Sequence, residues 1–261
     1  MLTFLKLGGS LITDKRESQH FRAEVMRRAA QEIAGALAAE PSLKLLIGHG
    51  SGSFGHMAAQ KYGTVHGVQS ADQWRGFAEV SIVARRLNAL VIEALHEAGL
   101  PVFGVQPSSS ARCANSKIES MELTPIRAAL EHGLVSVVHG DVAIDTVLGG
   151  TIISTEAIFA FLAERLRPTR IMLIGEVDGV YDAYRRVIPC ITPHTLSAIT
   201  DALGNSHGPD VTGGMAAKVR DMVALVERLP DLQVRIFGGT LPGQIESALL
   251  GRATPGTLIC R

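Results

Sequence analysis

Nine residues, Gly48-His49-Gly50-Ser51-Gly52-Ser53-Phe54-Gly55-His56, constrain this chain more than any other stretch. They follow directly on Leu43-Lys44-Leu45-Leu46-Ile47, an apolar run with the length and composition of a buried strand. Four glycines in eight residues, with two serines between them, read as a loop whose backbone N–H groups converge on an anion. Small side chains let a phosphate come close to the main chain. His49 and His56, one at each end, add a donor or a titratable group.

Gly50 to Gly55 also spells G-x-G-x-x-G, the dinucleotide fingerprint. That fingerprint requires a helix opening at the third glycine, a second strand, and an acidic residue about 20 positions on. Asp72 lies near that distance, but the residues from Gly63 to Ala71 contain no apolar strand, which disfavours the dinucleotide reading.

The rest of the chain alternates strands and helices, the pattern of an α/β fold with a mainly parallel sheet. Leu2 to Leu7 reads as the first strand, broken sharply by Gly8-Gly9-Ser10. Lys6 is the odd residue in it. It is either a charge that protects a sheet edge or a cation at the carboxyl end of a strand, where α/β sheets bind ligands, and the glycine pair behind it favours the second. Lys15 follows in a loop, and two lysines beside a phosphate-type turn suggest a charge clamp.

Helical periodicity predicts helices over Phe21–Ala39, Asp72–Ala98, Thr124–His132, Thr155–Leu166, Met215–Arg228 and Gly243–Leu250. Strands are expected at Pro101–Val105, Leu134–Val138, Thr169–Ile174 and, as the last one, Gln233–Phe237, with a hairpin across Asp145–Ile153, and Gly256-Thr257-Leu258-Ile259 closes the chain. Gln106 to Ser116 reads as a polar connection. Asp210 and Thr212 are candidate caps for the helix carrying Lys218, whose N-terminus is a further anion site. There is no repeat and no linker, so residues 1–261 are expected to form one domain. A switch near Pro168 would divide an acceptor-binding lobe (about 1–167) from a nucleotide-binding lobe (168–261).

Equal numbers of acidic and basic residues leave no whole-molecule field to attract nucleic acid or an anionic membrane. Cys113, Cys190 and Cys260 are odd in number and widely spaced, which fits neither a disulfide framework nor a zinc site. Reduced thiols and a cytoplasmic location are the expectation. The opening residues are too short an apolar stretch for a secretion signal, and no run approaches the ~18 apolar residues of a membrane helix.

Lys6-Leu7-Gly8-Gly9-Ser10, His49 to His56, Gly140-Asp141-Val142, Val177-Asp178-Gly179-Val180-Tyr181-Asp182 and Thr212-Gly213-Gly214-Met215 with Lys218 together resemble the amino acid kinase family. The resemblance spans essentially the whole chain. It implies a three-layer αβα sandwich that moves the γ-phosphoryl group of ATP, with Mg²⁺, onto a carboxylate, carbamate or phosphate, and it implies a homodimer. Gly52 to His56 resembles the branch of the family whose acceptor is isopentenyl phosphate, with isopentenyl diphosphate as product. Fosfomycin or UMP as acceptor, or a non-catalytic nucleotide-binding member, are the alternatives. Ser51 stands where the family run has glycine, and Gly175-Glu176 stand where members commonly carry Thr-Asp.

The resemblance assigns Lys6, Leu7, Gly8, Gly9, Ser10 and Gly52 to the nucleotide phosphates, and Asp178, Tyr181, Gly214 and Lys218 to the nucleotide side. Turn stabilisation is the alternative for Asp178 and Tyr181. Ser51, Gly55, His56, Gly140 and Asp141 fall to the acceptor, with Lys6, Lys15 and His56 as the catalytic set. His49 reads as a structural strand-end residue, and Asp141 as an orienter of neighbouring lysines. The chemistry agrees: a phosphate monoester has its second pKa near 6, so it is already largely a dianion and needs cations rather than a general base. Phe77, Val80, Val83 and Ile153 are the candidate wall for an apolar acceptor tail.

Overall fold

The computed structural model describes residues 1–14, 16–64, 67–203 and 214–261, with residues 56–58, 61, 198 and 200–203 described by their backbone alone. Lys15, Asp210, Thr212 and Gly213, and the side chain of His56, therefore lie outside the described residues.

The chain opens with β1 (Leu2–Leu7), the single turn α1 (Gly9–Ile12), a small ribbon of β2 (Thr13–Asp14) and β3 (His20–Phe21), helix α2 (Ala23–Ala39) and β4 (Lys44–His49). Helices α3 (Gly52–Tyr62) and α4 (Ala71–Glu97) follow. Next come β5 (Val102–Gly104), the hairpin β6 (Arg112–Ala114) and β7 (Lys117–Ser120), α5 (Thr124–Glu131) and β8 (Val135–His139). A second hairpin, β9 (Asp141–Asp145) and β10 (Gly149–Ile153), leads into α6 (Thr155–Leu166) and β11 (Arg170–Gly175). The remainder is β12 (Cys190–Ile191), α7 (Pro193–Leu203), α8 (Gly214–Arg228), β13 (Gln233–Gly238), α9 (Gln244–Leu249) and β14 (Thr257–Ile259).

Among the described residues the central sheet has eight strands in the order β12-β14-β13-β11-β1-β4-β8-β5, parallel except where β13 meets β14. Alternation along each strand builds a core on both faces. Leu5, Leu7, Leu45 and Ile47 face one way, onto Met26 and Ile33 of α2 and Leu87 and Val91 of α4. Phe4 and Leu46 face the other way, onto Phe159 of α6 and Val219, Met222 and Val223 of α8. The result is the expected three-layer αβα sandwich. No helix among the described residues is long and apolar enough to cross a membrane.

The register brings the strand ends level. Leu7 pairs with His49 and with Ile174, and His49 pairs with His139. The turns after β1, β4, β8 and β11 therefore gather at one edge of the sheet.

Three expectations need correction. The stretch from Gly48 to His56 is not all loop, because α3 opens at Gly52 and takes Ser53 to His56 into its first turns. The presumed polar connection from Gln106 to Ser116 holds β6, which turns at Asn115 and Ser116 into β7. Both turn residues adopt positive φ, and the Asp145 carboxylate accepts their N–H groups at 3.2 and 2.8 Å, a tertiary contact that local sequence does not signal. Helix α7 and the two-residue strand β12 were not anticipated by periodicity.

Candidate active site

The two glycine-rich turns meet main chain to main chain. Gly50 N–H donates to the Leu7 carbonyl at 3.1 Å, and Gly8 N–H to the Ile174 carbonyl at 2.7 Å. A Cβ on Gly9 would stand 2.5 Å from the Gly52 nitrogen, and Gly52 itself has φ of +47°. Only glycine permits both the approach and the turn. Thr13, fully buried, stitches the junction: its hydroxyl donates to the Gly9 carbonyl at 2.7 Å and accepts Ser53 N–H at 3.0 Å. Sequence reasoning passed over Thr13, because a threonine in a loop carries no signal of such a contact.

These turns open onto a cavity of about 680 Å³. Of the residues singled out in the sequence, Lys6, Gly8, Gly9, Ser10, Ser51, Gly52, Gly55, Gly140, Asp141 and Lys218 line it. Leu7 does not; its side chain is buried in the core and it contributes its carbonyl to the Gly50 contact. Asp178, Tyr181 and Gly214 stand off the wall, beside Val177 and Met215, which are on it. Asp178 N–H donates to the Tyr181 hydroxyl at 3.4 Å, an internal contact of that turn. Of the proposed tail residues, Val80 and Ile153 line the cavity together with Ala59, Ala84 and Ile152. Val83 is instead buried in the core, and Phe77 packs edge-on against Trp74 at 5.2 Å. At about 100° per residue, steps of three drift by about 60° each, so Phe77 and Val83 point about 120° apart on α4 and cannot share one line of sight.

Ser51 takes space that depends on its neighbour one turn on. A Cβ at position 55 would lie 2.6 Å from the Ser51 Cβ, so Gly55 leaves room for the serine at the cavity wall.

The electrostatic centre is a residue that sequence reading missed. Glu156 sits in the first turn of α6, behind an N-cap in which the Ser154 hydroxyl accepts Ala157 N–H at 3.1 Å. Its carboxylate meets Lys6 Nζ at 2.5 Å and Lys218 Nζ at 3.5 Å. Burial alone would raise its pKa, but the charges of Lys6 and then Lys218 outweigh that and hold it down at about 2. The helix N-terminus favours the anion too. Lys6 and Lys218 thus share one carboxylate, and the trio carries a net positive charge on the cavity wall. The available signal was Ser154-Thr155-Glu156 directly after an apolar strand, a capped helix start with an acid in its first turn.

Asp141 was expected to orient lysines. Instead its carboxylate accepts Ser108 N–H at 3.1 Å and Val142 N–H at 2.9 Å, with His139 Nε2 at 3.6 Å. Burial raises its pKa, partly offset by those bonds. It fixes the 107–109 turn against β9 rather than a side-chain cation.

His49 is structural in its setting, as its strand-end position suggested. It is buried, its Nε2 lies 3.0 Å from Asn88 Oδ1, and its ring stacks on His139 at 5.5 Å. Burial first, then the His139 charge, push the His49 pKa down to about 4. His139 is likewise pushed down to about 4 by burial. Both imidazoles are neutral at pH 7. Glu176, which lines the cavity just after β11, pairs at 2.5 Å with Arg22 at the start of α2.

A parallel sheet whose strand ends carry two abutting glycine turns, with a carboxylate-bound lysine pair over the cavity, defines an α/β-sandwich phosphotransferase. The chain belongs to the amino acid kinase family, whose model matches residues 1–238. It is 35% identical to the isopentenyl phosphate kinase of Methanothermobacter thermautotrophicus, over 99% of this chain and 98% of that one. It is 38% identical to the isopentenyl phosphate kinase of Haloferax volcanii, again over 99% and 98% of the two chains. An X-ray structure of an isopentenyl phosphate kinase superposes with a TM-score of 0.84 at 32% identity, covering 99% of this chain and 100% of the other.

Proposed function

We propose that this chain transfers the γ-phosphoryl group of ATP to isopentenyl phosphate, giving isopentenyl diphosphate and ADP. The observation that carries the reading is the Lys6–Glu156–Lys218 trio set over two glycine turns in a cavity with an apolar wall. Bringing two phosphate anions together demands charge neutralisation more than covalent help. The acceptor dianion supplies its own nucleophilic oxygen, so no general base is required. Of the cavity carboxylates, Glu156 is bound by lysines, Glu176 by Arg22 and Asp141 by backbone N–H groups, while Asp221 lines the wall from α8; in this reading none of the four acts as a base.

In this reading Lys6, Gly8, Gly9, Ser10 and Gly52, with the backbone of Leu7, hold the nucleotide phosphates. Lys218 neutralises charge as it develops on the transferring group. Gly214, Asp178 and Tyr181 shape the nucleotide side from the second layer. Ser51, Gly55, His56 and Gly140 receive the acceptor phosphate, with Asp141 bracing their wall. Lys15 and His56 take their catalytic roles from the family resemblance. The acceptor tail lies along Val80, Ala84, Ile152 and Ile153, a surface suited to a branched five-carbon chain and unsuited to the polar base and ribose of UMP.

Mg²⁺ belongs to the reading as the companion of ATP. Among the described residues no three acidic, His or Cys side chains cluster to hold a metal ion, and Mg²⁺ is commonly bound through substrate phosphates with few protein ligands. A homodimer, a cytoplasmic location and the division of the chain near Pro168 complete the proposal.

The test is ADP formation by the purified chain with isopentenyl phosphate, fosfomycin and UMP in parallel, for wild type and His56→Ala. Turnover of isopentenyl phosphate alone, reduced at least tenfold in the variant, is the expected result. Preference for either other acceptor overturns the substrate, and full activity of His56→Ala overturns the role of that residue.

A further inference from the structure

The three cysteines are far apart in sequence, but the fold brings two of them together. Cys190 and Cys260 are 70 residues apart, and their sulfurs stand 4.0 Å from each other. Both reach the surface, whereas Cys113 is fully buried in the core. Cys190 lies on β12, the outermost strand of the sheet, opposite Leu258 of β14. Cys260 follows β14 by one residue and is anchored by its N–H to the Ile191 carbonyl at 3.2 Å. The period of two puts Cys260 on the same face as Leu258, as the diagonal neighbour of Cys190. Neither thiol takes part in the site described above.

We infer that Cys190 and Cys260 form an oxidisable dithiol, a covalent modification site at the sheet edge that takes disulfide exchange with a small disulfide. One cysteine thiolate attacks a sulfur of the small disulfide, forming a mixed disulfide and releasing one small thiol. The facing protein thiolate then attacks the protein sulfur of that mixed disulfide and releases the second small thiol. The two cysteines lose two electrons and two protons, and the small disulfide is reduced to two thiols. The sulfurs close from 4.0 Å to a bond of about 2.05 Å, a movement shared between β12 at the sheet edge and the residue beyond β14.

The bond has a structural consequence. Between β11 and β12 the chain makes an excursion that begins at the cavity wall with Glu176 and Val177. It returns through Ile188, whose N–H donates to the Val180 carbonyl at 2.8 Å, and Pro189, whose carbonyl accepts Leu258 N–H at 2.9 Å. The Cys190–Cys260 bond clamps the foot of this excursion to β14 and closes a long loop of chain in the unfolded state.

The full chain is equilibrated with oxidised and reduced glutathione at a series of ratios, free thiols are alkylated, and intact mass and peptide maps are recorded. The expected product is one intrachain bond between Cys190 and Cys260, with a mass lower by about 2 Da, reversed by dithiothreitol. Cys113 alkylates only after denaturation. The oxidised protein melts about 5–10 °C above the reduced one. Cys190→Ser and Cys260→Ser each take up a single glutathione at the remaining thiol and keep the melting temperature of the reduced protein. Two separate mixed disulfides, a bond between molecules, or no thiol loss in fully oxidised glutathione overturns the dithiol. An intrachain bond without a shift in melting temperature overturns the clamp.

Discussion

Lys6 and Glu156 are 150 residues apart in the chain and in contact at 2.5 Å in the fold. Lys6 comes from the middle strand of the sheet and Glu156 from a helix start on the layer above it, so the pair forms only when sheet and helix are assembled. In the proposed reaction this half-buried carboxylate between two lysines would hold each ammonium ready for phosphate charge, at no reorganisation cost during transfer. Its value lies in position more than in stability.

Glu156→Gln keeps the shape and removes the charge. We expect kcat to fall by about 10²-fold, with the ATP KM changed much less, as for loss of a transition-state contact. Because Lys6 is left facing a neutral amide, the effects of Glu156→Gln and Lys6→Met should be strongly non-additive in a double-mutant cycle. Steady-state kinetics on the two single variants and the double variant measure this. Simple additivity would mean that the two side chains act independently.

Gly9→Ala places a methyl 2.5 Å from the Gly52 nitrogen, and backbone on both sides cannot yield as a flexible side chain does. Overpacking of this kind typically destabilises by about 1–3 kcal/mol. The variant should melt several degrees lower and bind ATP at least tenfold more weakly, measured by thermal unfolding and calorimetric titration. Wild-type ATP affinity in Gly9→Ala would show that the junction of the two turns does not hold phosphate.

Ala84 lines the cavity on α4 beside Val80, one turn away. Ala84→Phe fills the apolar end and should raise the KM for isopentenyl phosphate more than tenfold while leaving the ATP KM within twofold. The reverse pattern would move the acceptor tail to another wall.

Acid should remove stability over two overlapping pH ranges. His49 and His139 have native pKa values of about 4, below the ordinary 6.5, because burial disfavours the cation. The unfolded chain therefore binds more protons between pH 6.5 and 4, so stability falls as pH falls through that window, by at most about 3 kcal/mol for each imidazole. Glu156, lowered from 4.5 to about 2, adds a second loss between those values. His139, whose ring nitrogens have no hydrogen-bond partner among the described residues, is the better one to remove. His139→Leu should flatten the dependence of melting temperature on pH between 6.5 and 4, and an unchanged slope would contradict the assignment.

What the sequence revealed and what it concealed follow one physical division. Apolar runs and helical periods are local, and they located the strands around Lys6 and Ile47 and the helix from Thr155 to Leu166 within a residue or two. Glycines at strand ends were equally legible, since close backbone approach excludes other residues. Glu156 was not, because its meaning depends on Lys6 and Lys218 arriving from elsewhere in the chain. Thr13 and Asp145 are similar cases: each satisfies backbone N–H groups of distant turns, and nothing in their own neighbourhood announces it. Asp141 misled for the complementary reason, since an acid beside a glycine resembles a charge partner until Ser108 N–H claims it.

Phosphorus NMR of the reaction with ATP and isopentenyl phosphate tests the central claim most directly. The account predicts that the monophosphate resonance is replaced by the two coupled resonances of a diphosphate, in step with conversion of ATP to ADP and without release of inorganic phosphate. ATP left intact, or ADP and inorganic phosphate appearing while isopentenyl phosphate is unchanged, would contradict it.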